Sequence, residues 1–345
     1  MRERSDVPLA PLTTLRLGGP ARRLLEVASE AELLAAVRDA DAAGEPVLVL
    51  GGGSNVLIAD DGFAGTVVLV RARGVDVEAD ACSGAMVTLA AGEPWDPFVE
   101  RAVREHWVGI EALSGIPGLA GAVPIQNVGA YGQEVSQTIA GVRSYDRVED
   151  RVRTFAAADC DFAYRMSRFK REPGRFVVVS VTFQFALGEL SAPVAYAELA
   201  RRLGVEQGER AKAADVREAV LALRRGKGMV LDEHDHDTWS AGSFFTNPIL
   251  TADEAAELPD DAPRFAQPDG TVKTSAAWLI DHAGFEKGYA RGAAALSTKH
   301  VLALTNRGGA SAAELVDLAR EVRDGVRAAY GITLRNEPVV VGASI

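Results

Sequence analysis

The chain has 345 residues, 48% hydrophobic and 25% charged, a composition that fits a soluble globular enzyme and excludes a disordered or fibrous chain. It is too long for one ordinary core, so two or three domains are expected. The net charge of -11 excludes a general binder of nucleic acid or anionic membranes, while a local positive cluster could still serve a small anion. There is no apolar run of about 18 residues, and "MRERSDVPLAPL" at the start has no apolar signal-peptide core, so a cytoplasmic location is expected. Cys82 and Cys160 lie far apart and form no C-x-x-C pair, which fits a reducing compartment.

The first predicted helix is "SEAELLAAVRDADAAG", with Ser29 and Glu32 as a capping box and Gly44 as its stop. "PVLVL" (46–50) reads as a short buried strand, followed at once by "GGGSN", and "GTVVLV" (65–70) reads as another. From about 75 to 190, short β-rich runs such as "MVTLAAG" and "FVVVSVTFQF" alternate with Gly/Pro turns around one helical stretch, "PWDPFVERAVREHW". "DVREAVLALRRG" predicts a helix from Asp215 to about Arg225, and "SAAELVDLAREVRDGVRAAYG" another, with Ser311 and Glu314 as its capping box. The pattern is α+β.

Two glycine-rich segments carry the first chemical signal. Three glycines directly after a strand, Gly51 to Gly53, let backbone N–H groups approach an anion closely. They match neither G-x-G-x-x-G, since Val56 occupies the third glycine's place, nor a P-loop; a plain tight turn is the alternative. "GIEALSGIPGLAGAVPIQNVGAYGQEV" (109–135) has little helical periodicity and few charges. It suits a wrap around a flat buried ligand, with Gln126, Asn127 and Tyr131 as its polar contacts; a glycine-rich, barrel-like core is the alternative.

In chain order, "GGGSN", "SGIPGLAGAVPIQNVGAYGQE", "YRMSRFK", "AGSFFTNP" and "NEP" resemble the UDP-N-acetylenolpyruvoylglucosamine reductases, the MurB family of flavoenzymes, in its form with a lid-like tyrosine segment. The resemblance covers nearly the whole chain. It implies a two-lobed FAD-binding domain of the vanillyl-alcohol-oxidase/PCMH type plus a separate α+β substrate domain. Residues 1–75, completed by 331–345, would form the first lobe, 76–225 the second, and 226–330 the substrate domain. FAD would be held non-covalently, with NADPH as reductant, and an enolpyruvyl ether of a UDP-sugar would become UDP-N-acetylmuramate for peptidoglycan. Gly51, Gly52, Gly53, Ser54 and Asn55 would hold the FAD pyrophosphate, and Leu57 would also belong to the cofactor site. Ile116, Pro117, Gly118, Gly121 and Ala122, with Gln126, Asn127, Gly129, Ala130, Tyr131 and Gly132, would line the rest of the cofactor.

The implied reaction accounts for a serine with no base near it in sequence. Hydride addition to the terminal enolpyruvyl carbon builds negative charge on the neighbouring carbon and its carboxylate. That enolate is basic enough for a neutral hydroxyl, so Ser243 would act as proton donor. Arg165 and Glu337 match the family's charged catalytic residues and would polarise the carboxylate. Each alone has a plain reading as a turn cap, a surface pair or a solvated charge; their joint occurrence in family order favours the functional one.

Lys227, Asn247, His282 and Tyr196 match substrate-binding positions, with Tyr196 in the lid; Arg224 or Arg225 could replace Lys227 at a phosphate. "DEHDHD" (232–237) has metal-ligand residue types but no completing cluster, so a polar surface loop without metal is expected. No nucleic acid, membrane or obligate protein partner is expected. The alternatives are an FAD-dependent 2-hydroxyacid or sugar-alcohol oxidase of the same class, and a degenerate flavin-binding scaffold. "AGSFFTNP" together with the terminal glutamate speaks against the oxidase, and the intact Arg165, Ser243 and Glu337 speak against the scaffold.

Overall fold

The computed structural model describes residues 1–80 and 82–345. The chain forms two compact units: Met1–Val7, Ala21–Gly52 and Ala64–Gly226 make the first, and Pro8–Pro20, Gly53–Phe63 and Lys227–Ile345 the second. Residues 8–20 and 53–63 thus fold with the C-terminal part of the chain.

In the first unit, a sheet runs in the order Arg2–Pro8, Pro20–Val27, Phe63–Val70, Val47–Leu50, its last two strands parallel. The helix Glu30–Ala42 buries Leu33, Ala36 and Val37 with Leu25, Val27, Val68 and Val70, the stripe expected of an amphipathic helix on a sheet. Ser29 caps it through the Glu32 N–H, as predicted. The reciprocal bond differs: the Glu32 carboxylate accepts from Ala28 N–H at 2.8 Å, one residue before the cap. Gly44 follows in the left-handed region at φ +65.

A second, antiparallel sheet has the order Arg151–Ala156, Ile139–Asp146, Phe176–Leu187, Gly84–Ala90, Val75–Asp80. Alternation along Phe176–Leu187 puts Val181, Phe183 and Phe185 on one buried face. Trp95 and Phe98, from the helix Trp95–Arg104, meet Phe183 with ring centroids 5.8 and 6.0 Å apart. Each such side chain contributes about 2 kcal/mol by leaving water. This helix is shorter than predicted: His106 takes φ +60, and Trp107 leaves to pair with Leu187 and stack on Phe185. The helices Ala197–Leu203 and Ala213–Gly226 pack through Leu199, Val216 and Val220.

The second unit is built on the helix Ala312–Tyr330. Its Leu315, Leu318, Ala319, Val322 and Val326 form one buried stripe, packed with Leu15, Leu57, Phe244, Phe245, Leu279 and Leu304. Ser311 and Glu314 form the predicted capping box. Asp60 adds two further bonds, accepting from the N–H groups of Ala312 and Ala313 at 2.8 and 3.0 Å. The C-terminal strand Val339–Val341 pairs in parallel with Val56–Ile58.

Candidate active site

The glycine-rich segments predicted to hold a cofactor meet within the first unit. Gly51 and Gly52 leave the strand Val47–Leu50, and Gly52 lies so close to Gly118 that a Cβ on it would be 2.8 Å from the Gly118 Cα. Gly118 itself has φ +119. That close approach of two backbones requires glycine at Gly52 and leaves the turn after the strand built of backbone alone, the kind of turn that can receive an anion. Gly121 is explained by packing: a Cβ there would be 2.5 Å from the Ala91 Cβ. Ile116 and Ala130 pack on the aromatic core, Pro117 is half-buried, and Ala122 is exposed.

Residues 126–134 form a strained hairpin. Gly129–Ala130 pairs with Gln133–Glu134 across Tyr131 (φ +49) and Gly132 (φ +85), two left-handed residues as in a type I′ turn. Asn127, also left-handed at φ +46, is 1% exposed and heavily engaged. Its Nδ2 donates to Glu134 Oε2 at 2.8 Å and to Ala163 O at 3.1 Å, and its Oδ1 accepts from Ser136 N–H at 3.2 Å. Its side chain therefore braces the loop toward Arg165, where the sequence suggested a ligand contact. Gln126 beside it is half-buried.

Arg165 sits in this cluster. It is left-handed at φ +53, a conformation that costs energy in a non-glycine residue, and its Nη2 donates to Gly129 O at 2.7 Å. The guanidinium also lies over Tyr164 at 5.6 Å. Arg224 is buried nearby: burial pulls its pKa down to about 10, the charges of Tyr131 and Asp96 oppose this, and Arg165 adds to the fall. At neutral pH it stays a cation, so the first unit concentrates two arginines near Tyr131. Arg225 is exposed. Tyr196 is the N-cap residue of Ala197–Leu203, the ordinary helix-start position, and its ring meets Tyr131 edge-on at 5.5 Å.

In the second unit, the segments that carry Ser243 and Glu337 pair through their backbones. Thr246 N–H donates to Arg335 O at 3.0 Å, and Glu337 N–H to Phe244 O at 2.8 Å, with Phe245 opposite Asn336. Phe244 and Phe245 are buried and anchor the segment, while Ser243 is half-buried and Glu337 is 9% exposed. Asn55, predicted on the cofactor, ties "GGGSN" to this place: its Nδ2 donates to Glu337 O at 3.4 Å, and its carbonyl accepts from Val339 N–H at 3.0 Å. Ser54 is half-buried in the same turn. Gly53 has φ +62, and a Cβ there would be 2.0 Å from Leu12 O. The Leu57 side chain lies in the core, 1% exposed, and its backbone pairs with Val340.

Asn247 Oδ1 accepts from Ala276 N–H at 3.0 Å and so helps cap the helix Ala276–His282. His282 stacks on Trp278 at 3.9 Å, and its Nδ1 lies 2.9 Å from Trp278 O. Lys227 is half-buried.

The stretch 232–237 is a surface loop only in its first half. Asp232, Glu233 and His234 are exposed, but Asp235 pairs with Lys299 Nζ at 2.5 Å and Asp237 is 3% exposed. Asp237 accepts from Thr298 N–H, Thr298 Oγ1 and Arg307 Nη1 at 2.9, 2.6 and 2.7 Å. Composition could not reveal these partners, which lie more than sixty residues away. Among the described residues no group of three His, Cys, Asp or Glu is placed to hold a metal, and no helix is long and apolar enough to cross a membrane.

Comparison with known proteins bears on this arrangement. Residues 233–341 match the family description "UDP-N-acetylenolpyruvoylglucosamine reductase, C-terminal domain", and residues 21–154 match "FAD binding domain". The UDP-N-acetylenolpyruvoylglucosamine reductase of Cutibacterium acnes is 64% identical over 343 residues, covering 99% of this chain and 90% of its own length. That of Thermobifida fusca is 56% identical over 350 residues, covering 99% and 98%. Among solved structures, the reductase (MurB) from Thermus caldophilus shares the fold, with a TM-score of 0.68 at 24% identity over 99% of this chain and 100% of that one. The expected FAD-binding domain and C-terminal reductase domain are both matched, and the mixed α/β fold is shared with the Thermus reductase. Likeness at this level, end to end, leaves one assignment: the chain belongs to the UDP-N-acetylenolpyruvoylglucosamine reductase family of oxidoreductases.

Proposed function

We propose that the protein uses FAD, held non-covalently, and NADPH to reduce UDP-N-acetyl-3-O-(1-carboxyvinyl)glucosamine to UDP-N-acetylmuramate, in the cytoplasm. The observation that carries this reading is the pairing of Phe244 with Glu337, which sets the two segments expected to hold the proton donor and the glutamate side by side. When bound, FAD supplies hydride transfer from NADPH to the terminal carbon of the enolpyruvyl group. Ser243 gives its proton to the neighbouring carbon, so the C=C bond becomes CH–CH3, and the serine regains a proton from water. The enolate is far more basic than an alkoxide, so the hydroxyl needs no general base. Arg165 and Glu337 stabilise the charge spreading into the carboxylate; Glu337 does so as a protonated or hydrogen-bonded acid.

In this reading Gly51–Asn55 receive the pyrophosphate, and Leu57 belongs to the cofactor site. Ile116–Gly118, Gly121–Ala122, Gln126 and Gly129–Gly132 line the flavin, and Asn127 supports them. Tyr196, Asn247 and His282 meet the substrate, with Lys227, Arg224 or Arg225 at a phosphate. Residues 1–75 with 331–345 and residues 76–225 act as the cofactor lobes, and 226–330 receive the UDP-sugar.

The test is an anaerobic absorption experiment. The purified protein should show flavin bands that bleach with NADPH and return on adding UDP-N-acetylenolpyruvoylglucosamine. Colour restored by oxygen and not by that substrate would point to an oxidase. No flavin binding after added FAD would overturn the cofactor assignment.

A further inference from the structure

The turn Leu9–Leu17 carries no motif used above, yet it touches both the glycine loop and the serine segment. Thr14 is 6% exposed. Its N–H donates to Gly53 O at 3.1 Å, and its Oγ1 donates to Ser240 O at 2.7 Å. The turn itself is fixed on several sides. Thr13 Oγ1 donates to Leu17 O at 3.0 Å, and Asn306 Nδ2 donates to Leu15 O and Arg16 O at 3.1 and 3.3 Å. Arg16 is held left-handed at φ +55. Leu12 O lies where a Cβ on Gly53 would go, so the same turn dictates the glycine.

Ser240 stands three residues before Ser243. Beyond the serine, Phe244 N–H donates to Leu302 O at 2.7 Å, and Phe244 O receives Glu337 N–H. Ser243 therefore sits on a short span between two pins, Ser240 and Phe244, with a left-handed Gly242 (φ +73) between them. The backbone carbonyl of Ser240 is pinned by the Thr14 hydroxyl.

We propose that Thr14 is a positioning residue that sets the Ser243 hydroxyl by fixing the Ser240 carbonyl to the turn under the glycine loop. The inference rests on the functional reading above. Removing the hydroxyl leaves the Ser240 carbonyl without this donor and loosens the span that carries the proton donor. The Thr14 N–H bond to Gly53 survives and only the long 3.5 Å hydroxyl contact to Gly53 O is lost, so the glycine loop keeps its main support. Proton transfer tolerates little displacement, because donor and acceptor must be within hydrogen-bond reach.

The experiment compares holoenzyme of wild type, Thr14→Val and Thr14→Ser. Flavin content is read from the absorption bands, and the two half-reactions are followed separately by stopped flow without oxygen. Thr14→Val should retain flavin and be bleached by NADPH within about twofold of wild type. Its re-oxidation by UDP-N-acetylenolpyruvoylglucosamine should slow by about tenfold or more, as expected when a proton donor is misplaced. The solvent-deuterium isotope effect on that step should rise as protonation becomes limiting, and Thr14→Ser should restore rate and isotope effect. Equal re-oxidation by Thr14→Val and wild type overturns the inference. So does a parallel fall in both half-reactions that Thr14→Ser does not rescue, which marks a merely structural residue. If Thr14→Val gives no soluble protein, Thr14→Cys decides by the same comparison. Wild-type flavin that this substrate does not re-oxidise overturns the functional reading itself, and the inference with it.

Discussion

A hydroxyl that protonates an enolate faces a carbon far more basic than itself, so its placement matters more than its acidity. On that argument Ser243→Ala should keep flavin and react with NADPH normally. It should lose re-oxidation by the enolpyruvyl substrate by about a hundredfold to ten-thousandfold, the usual worth of a general acid. Stopped-flow traces of the two half-reactions check this; equal losses in both would assign the serine to binding. Asp237 bears on stability. Burial alone would push its pKa up, but the Thr298 bonds and Arg307 outweigh it and hold the carboxyl below its ordinary 3.8. A carboxylate with a depressed folded pKa stabilises the fold above its unfolded pKa, and the contribution disappears as pH falls through the folded value. Asp237→Asn should therefore cost about 2 kcal/mol, the worth of a buried hydrogen bond to a charged group, across the neutral range. The gap between variant and wild type in urea melts should close below about pH 4.

The elements that carry the site differ in how openly the sequence announces them. The helix Ala312–Tyr330, with its capping box, and the strands Val47–Leu50 and Phe63–Val70 follow from local pattern, because periodicity and caps are local. Gly51–Gly53 could be placed after a strand from sequence, but not against Gly118 or under Leu12, since those contacts depend on long-range folding. For the same reason the acidic run at 232–237 reads as a solvated loop although Arg307 stands beside Asp237, and the bond of Asn127 to Ala163 leaves no local sign. Thr14 gave no signal at all, because a threonine in a turn is common and its partner lies 226 residues away. The glycines give a sharp test. Gly44 and Gly53 share a left-handed backbone, at φ +65 and +62, but a Cβ on Gly44 meets nothing within 4 Å. Gly44→Ala should cost only the left-handed strain, about 1–2 kcal/mol, and keep flavin. Gly53→Ala adds a backbone collision and should lose bound flavin with a much larger fall in Tm, read by absorbance and thermal melting. Similar behaviour of the two variants would remove the close approach as the reason for the glycine.

At the scale of the molecule, the chain passes between its two units at 7/8, 20/21, 52/53, 63/64 and 226/227. The second unit is therefore not a contiguous segment. Its core takes Leu15, Leu17 and Leu57 from the N-terminal part, and Val339–Val341 finds its strand partner in Val56–Ile58. A fragment 227–345 would lose all of these at once. The bare edge of Val339–Val341 would face water, the helix Ala312–Tyr330 would lose its Asp60 cap, and the core would open where three leucines had been. Leucine-to-alanine losses alone run to about 2–5 kcal/mol each, and a domain's whole margin is about 5–15 kcal/mol. The fragment should therefore be unfolded or aggregated by circular dichroism and gel filtration. FAD at a hundred times its Kd should stabilise the folded state by about 2.7 kcal/mol, by mass action on the native state alone. A fragment 227–345 with a cooperative melt of its own would show that the N-terminal segments decorate this core without completing it.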